Sequence, residues 1–288
     1  MSARRRRLVP YFLLGPGLLW LILFFVAPMF VMGYVSLESG IFPTYTFDWN
    51  FSNFGDALSA HGTQFLRAFE YSAAATVIAL LIAYPLAYGI AFRGGRFKNA
   101  MLLAVVAPFF TTYLIRTLAW ETILSDNGVV VNTLQTLGLV SPDGRVLATT
   151  GAVIAGLTYN FLPFMILPIY ASLERLDTNL IEAAKDLYSS SRTAFLKVTL
   201  PLSMPGVVAG TLLTFIPATG DYINAQFLGG TNQAMIGNVI QSLYLVQNDR
   251  PFAAALSFIL MATILLIVLI YIRFAGAEAL MGEESERA

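Results

Sequence analysis

Few residues in this sequence could do chemistry, and their types narrow which chemistry is open. The chain has no cysteine and a single histidine, His61, which excludes thiol nucleophiles, disulfides and cysteine-ligated metals together. No phosphate loop of the G-x-x-x-x-G-K-[ST] form, no H-E-x-x-H and no G-x-S-x-G occurs. No catalytic set and no metal cluster is expected. What remains is one acidic residue within an apolar run: Asp221, beside Tyr222 in PGVVAGTLLTFIPATGDYINAQF. A carboxylate at the bilayer centre costs about 2.5–3.5 kcal/mol on insertion scales. Asp221 therefore either faces a cavity or a partner, or lies near enough to the interface to reach water. In the first case the carboxylate and the aromatic ring beside it together present negative charge and a π face.

A second constellation is the stretch IEAAKDLYSSSRTAFLKVTLPLSMPG, Ile181 to Gly206, a polar interruption between two apolar runs. Asp177, Thr178 and Asn179 offer N-cap side chains just ahead of it. Leu180, Ala183, Ala184 and Leu187 follow the i, i+3, i+4, i+7 pattern of one helical face, with Glu182, Lys185 and Asp186 on the other. The serines at 189–191 break this helix and can cap a second, which Leu200-Pro201 is expected to end. Two such short helices are marginal in water. They must rest on headgroups, on their own bundle, or on a partner.

The elements that position these residues follow from composition. With 57% hydrophobic and 12% charged residues, the chain has about half the charge of a soluble domain, which points to a membrane protein. The formal net charge of zero, with no basic domain, argues against a nucleic-acid partner. Runs long enough to cross ~30 Å of hydrocarbon lie at Pro10 to Met32, Tyr71 to Phe92, Lys98 to Leu118, Ala148 to Tyr170, Pro205 to Phe227 and Pro251 to Arg273. These predict an all-α integral membrane protein of six transmembrane helices. The first run is too long for a cleaved secretory signal and lacks a clear cleavage site, so it reads as a retained helix.

No linker, low-complexity tract or strong repeat divides the chain, so residues 1–288 read as a single transmembrane domain. Positive charge sets its orientation. Arg4 to Arg7, Arg93, Arg96, Lys98, Arg175, Lys185, Arg192, Lys197, Arg273 and Arg287 fall on one side, and Arg67, Arg116, Arg145 and Arg250 on the other. Both termini and the 177–201 loop are thus expected in the cytoplasm. The long outer loop Gly33 to Glu70, with Trp49 and its aromatic neighbours, reads as an interfacial belt. Arg116, Trp120 and Glu121 read as anchors at the outer end of the third span, Gly206 and Gly210 as a close-packing pair, and His61 as a solvated loop residue.

The order Glu182-Ala183-Ala184, three residues, Tyr188, nine residues, then Val198-Thr199-Leu200-Pro201 resembles the EAA loop of ABC-importer permeases. That signature reads E-A-A, three residues, G, nine residues, I-x-L-P. Tyr188 departs from its glycine, which puts the turn geometry there in question. The stretches LPFMILPIYASLERLDTNLIEAAKDL, TFIPATGDYINAQFLGG and APFFTTYLIRTLAWETILSDNGVVVNTL are similar to the permeases of spermidine/putrescine importers. Likeness extends from about Tyr71 to Arg273.

The resemblance implies a type I ABC-importer permease fold in the bacterial cytoplasmic (inner) membrane, with cytoplasmic coupling helices that dock on an ATPase subunit. It assigns ATPase coupling to Glu182, Ala183, Ala184, Asp186, Leu187, Leu200 and Pro201, and with a polyamine as substrate it makes Asp221 and Tyr222 candidates to line the route of a polycation. It also implies a second permease, two ATPase subunits that bind ATP and Mg²⁺, and an extracytoplasmic binding protein. Related permeases for other small organic or ferric substrates share some of these stretches. An intramembrane enzyme would need a catalytic set that is missing here. A stand-alone secondary transporter would have no use for an EAA loop.

Overall fold

Prolines and apolar length decide where the helices run and where they break. The computed structural model describes residues 14–138, 140–141, 144–187 and 190–275. Arg4 to Arg7, Tyr188 and Arg287 lie outside these residues. Among the described residues five helices are long and apolar enough to cross a membrane, six if a bent helix pair counts as one crossing. The chain falls into two compact units, one drawn from Met1–Gly62 and Val239–Ala262, the other from Thr63–Asn238 and Thr263–Ala288.

In the first unit, α1 (Leu14–Ser36) presents apolar surface along its whole length. It leads into an antiparallel hairpin, β1 (Glu38–Ile41) and β2 (Thr44–Phe47), in register from Glu38↔Phe47 to Ile41↔Thr44. This small sheet is an addition to the all-helical expectation. Tyr34 stacks on Phe47 at 4.5 Å, Phe47 meets Trp49 edge-on at 5.0 Å and Trp49 stacks on Phe51 at 6.2 Å. Next, α2 (Ser52–Arg93) starts well before the predicted Tyr71. Its 42 residues would span about 63 Å at 1.5 Å per residue, twice the hydrocarbon thickness. His61 therefore lies within a helix rather than a loop, at a non-helical kink, with its ring edge-on to Phe252. Phe252 belongs to α11 (Arg250–Ala275).

In the second unit, the predicted third span is a broken one. It comprises α3 (Lys98–Val106), a 3₁₀ turn at Ala107–Phe110, α4 (Tyr113–Leu124) and α5 (Val129–Thr136). The segments Gly95–Phe110 and Tyr113–Thr136 meet at 94°. Pro108 withdraws a backbone donor and Thr111 and Thr112 are extended, so the α-helix cannot continue. There follow α6 (Thr150–Glu174), α7 (Thr178–Leu187), α8 (Ser191–Thr219) and α9 (Ile223–Leu228), and then α10 (Ile236–Leu245), which starts in this unit and continues in the first. Finally α11 (Arg250–Ala275) begins in the first unit and ends in the second.

The core of this unit sets Ala79, Ala83, Ala87 and Ile90 of α2 against Met165, Ile166, Ile169 and Leu173 of α6 and Val207 of α8. Alanines recurring at i, i+4 make a smooth stripe on which larger side chains settle. The α6–α8 seam is closer still. A Cβ on Gly206 would lie 2.5 Å from the Pro168 carbonyl oxygen and 2.6 Å from Ser172 Cβ, and one on Gly210 would lie 2.9 Å from Met165 Sδ. The G-x-x-x-G pair thus packs within the chain.

Two prolines are accommodated by the same device. In α1 a π segment, Ile22–Val26, precedes Pro28, and the Ala27 N–H reaches back five residues to the Ile22 carbonyl. In α8 a π segment, Phe195–Thr199, precedes Pro201, and the Leu200 N–H reaches the Phe195 carbonyl. The wider turn re-routes backbone bonds that proline would leave unmade.

Candidate functional site

The polar interruption is built from its caps. Asn179 N–H donates to Asp177 Oδ1 at 2.9 Å and starts α7. Thr193 N–H donates to Ser190 Oγ at 3.2 Å and starts α8. Along α7 the side chains of Leu180, Glu182, Ala183, Asp186 and Leu187 are all exposed, Leu187 at 81%. Leu180, Ala183 and Leu187 share one face, so the chain leaves an apolar stripe of this helix uncovered.

The second half of the loop differs from expectation. Leu200-Pro201 does not end a short helix; α8 runs through its π segment from Ser191 into the apolar span. Leu200 is half-buried and Pro201 exposed on that continuous helix. Phe195 anchors it, with its ring edge-on to Tyr84 at 5.7 Å and Tyr88 at 5.8 Å. The Tyr84 and Ser203 hydroxyls bond at 2.7 Å. At the other end of the loop Lys98 Nζ meets Glu174 Oε1 at 2.7 Å and lies over the Tyr170 ring, tying α3 to the end of α6.

A second site forms where α8 stops. Asp221 is not inside a helix: it occupies the break between Thr219 and Ile223 and is 8% exposed. Its Oδ1 accepts the Asn224 N–H at 2.8 Å, which caps the first turn of α9, and its Oδ2 accepts the Tyr113 hydroxyl at 2.5 Å. Asn224 Nδ2 donates to that same hydroxyl at 2.5 Å. Asn160 Nδ2 donates to Asn224 Oδ1 at 3.0 Å and Thr117 Oγ1 at 3.2 Å, so α4, α6 and α9 share one buried network. Gly237 closes it from α10, where a Cβ would lie 2.7 Å from the Gly220 carbonyl oxygen.

Tyr222 is not brought into this network. It is 38% exposed, and its carbonyl accepts from Asn238 Nδ2. Arg116, expected as an anchor at the interface, is only 9% exposed and stacks on Phe109 and Tyr113. Trp120 is half-buried against Tyr159. Among the described residues no group of acidic or histidine side chains could hold a metal ion. Sequence reading passed over Tyr113, Thr117, Asn160 and Asn224. Asn160, alone amid TYNFLPF, carried a signal, because an amide in a span must find a partner. Asn224, three residues after Asp221, carried another in its capping spacing.

Helices long and apolar enough to cross a membrane, an uncovered loop helix and a buried polar break fit a multi-pass membrane protein. Residues 75–280 match the family model of the binding-protein-dependent transport system inner membrane component. The chain belongs to this family of inner-membrane transport permeases. It is 36% identical over 258 residues to the spermidine/putrescine transport system permease protein PotB of Haemophilus influenzae, covering 88% of this chain and 90% of that protein. The PotB of Escherichia coli strain K12 is 35% identical over 259 residues, covering 88% and 93%. The E. coli inner membrane ABC transporter permease protein YdcU is 33% identical over 227 residues, covering 75% and 72%. Among solved structures, a bacterial ABC transporter involved in the import of the acidic polysaccharide alginate superimposes with a TM-score of 0.68 at 20% identity, covering 94% of this chain and 96% of that one. The MetNI methionine ABC transporter, in inward-facing form, gives 0.58 at 16% identity, covering 73% and 92%. The fold is that of the type I ABC-importer permeases, and the chain is a permease of an ABC importer.

Proposed function

We propose that this permease forms half of the translocation pathway of an ATP-driven polyamine importer. It pairs with a second permease, two ATPase subunits that bind ATP and Mg²⁺, and an extracytoplasmic binding protein. Both termini and α7 face the cytoplasm. ATP hydrolysis belongs to the partner subunits, and their closure reaches the spans through Glu182, Ala183, Ala184, Asp186 and Leu187 on α7 and through Leu200 and Pro201 on α8. The observation that carries this reading is the uncovered face of Leu180, Ala183 and Leu187, held between two rigid anchors. A ten-residue helix with its apolar stripe in water would be unstable alone, so it fits a groove in another protein.

The polyamine substrate is supported by the likeness to the PotB permeases of H. influenzae and E. coli. A single carboxylate in the break of a crossing helix adds charge complementarity for a polycation. Asp221 lines that route, with Tyr222 on its exposed side.

Reconstitution of the four kinds of subunit in proteoliposomes tests the proposal. ATP-dependent uptake of spermidine or putrescine, with none of a non-cationic sugar, is expected. Uptake by this chain without any ATPase subunit would instead mark a secondary transporter, and uptake of the sugar alone would overturn the substrate.

A further inference from the structure

We infer that Arg116 is a built-in competitor for Asp221: its guanidinium takes the carboxylate, in the state that releases substrate, from the Tyr113 hydroxyl that holds it here. The inference rests on Asp221 lining a cation's route. Arg116 sits one turn beyond Tyr113 on α4 and is 9% exposed. Its Cζ lies 5.1 Å from the Phe109 ring centre and 5.6 Å from that of Tyr113. Its Nε and Nη1 are buried and have no hydrogen-bond partner among the described residues. Burying a cation costs several kcal/mol, and stacking on two rings returns only about 0.5–2 kcal/mol each. The guanidinium is therefore under-satisfied where it stands, and a carboxylate offers the planar, two-pronged acceptor that suits it.

Asp221 is the carboxylate placed to answer. It touches the same tyrosine as Arg116, and α9, whose first turn it caps, packs on α4. Of the unit's other described carboxylates, Glu70, Glu182 and Asp186 are exposed to solvent, and the rest are committed or turned away. Glu174 pairs with Lys98, Asp126 with Arg145, and Asp177 caps α7. Glu121, five residues along α4, points to a different face. Only neutral donors, Tyr113 O–H and Asn224 N–H, now hold Asp221, so its charge stays available to an ammonium group. Once Arg116 takes it, that charge is neutralised and the cation loses its counter-ion. The exchange couples affinity to conformation, since substrate and Arg116 favour opposite states. The 94° break just before α4 gives its first turn, which carries both Tyr113 and Arg116, freedom to shift.

The test uses the full transporter in proteoliposomes, with Arg116→Gln, Arg116→Lys, Asp221→Asn and the double variant Arg116→Gln/Asp221→Asn. After one round of ATP hydrolysis, Arg116→Gln should retain several-fold more labelled spermidine on the transporter and take it up several-fold more slowly. Arg116→Lys should restore much of the rate, and Arg116→Gln should add nothing to Asp221→Asn. Equal slowing by Arg116→Gln with and without Asp221, and no extra retention, would make Arg116 a packing residue and overturn the inference. Normal uptake by Asp221→Asn would remove the underlying reading of Asp221 as well, so the two failures differ. Because the chain lacks cysteine, an Arg116→Cys/Asp221→Cys pair gives a second measurement should Arg116→Gln not accumulate. Oxidative cross-linking should rise between the nucleotide-free and the ATP-driven states, and equal cross-linking in both would count against the exchange.

Discussion

The Tyr113 hydroxyl donates to Asp221 Oδ2 at 2.5 Å and so joins two residues 108 positions apart in the chain. The bond fastens the first turn of α4 to the break after α8. Its two partners can be separated by experiment. Tyr113→Phe leaves a buried carboxylate oxygen short of a donor and should lower stability by about 1–3 kcal/mol, measured as a drop in the unfolding midpoint of the detergent-solubilised complex. Asp221→Asn keeps an oxygen for the Asn224 N–H but turns an amide nitrogen toward the Tyr113 hydroxyl, so it removes the charge and that acceptor together. That variant should lower the unfolding midpoint about as much as Tyr113→Phe, yet it alone should lose polyamine uptake about ten-fold or more. Undiminished uptake would reduce Asp221 to a helix cap.

Glu182→Lys and Leu187→Asp alter exposed positions on α7, so neither should impair insertion or folding. Surface changes of this kind stay within about 0.5 kcal/mol. Both should abolish substrate-stimulated ATP hydrolysis and transport in the assembled importer. Retained stimulation in either variant would show that the motor grips elsewhere.

The α6–α8 seam has no room for a side chain at Gly206. Gly206→Val should cost about 1–3 kcal/mol by overpacking against backbone, seen as reduced membrane yield and a lower unfolding midpoint. Gly89, on α2, has open space where a Cβ would go, and Gly89→Ala should be neutral or slightly stabilising. Equal behaviour of the two variants would contradict the seam.

The Lys98–Glu174 pair is short but partly open to solvent, at 27% and 46% side-chain exposure. Its net worth should stay within about 0.2–1 kcal/mol. Lys98→Ala should therefore shift the unfolding midpoint only slightly, and the shift should shrink further at high salt. A large, salt-insensitive loss would mean the pair is buried in the assembled complex.

Much of this architecture was legible because lipid imposes a simple rule. Apolar runs must become helices, and Asp177 and Ser190 announced the caps that the structure shows. What escaped was set by partners distant in sequence. Residues 52–70 read as loop because their polarity hides a helix that continues beyond the hydrocarbon. Pro201 read as a terminator because nothing local reveals the π turn that absorbs it. Arg116 read as an interfacial anchor, since a charge near the end of a span usually reaches water, whereas Phe109 and Tyr113 enclose it. Nor could the network around Asp221 be assembled from one dimension, because it draws on α4, α6 and α9 at once.

Gly206 and Gly210 bring the backbones of α6 and α8 nearly into touch, and these are the two helices between which α7 hangs. Both roots of the loop are thus welded to a single stiff plank. A shove on α7 cannot be lost as slippage between its two roots. On the coupling role proposed for α7, such a shove would tilt the plank as one piece, carrying the far end of α8, and with it the kink where Asp221 sits, through an arc.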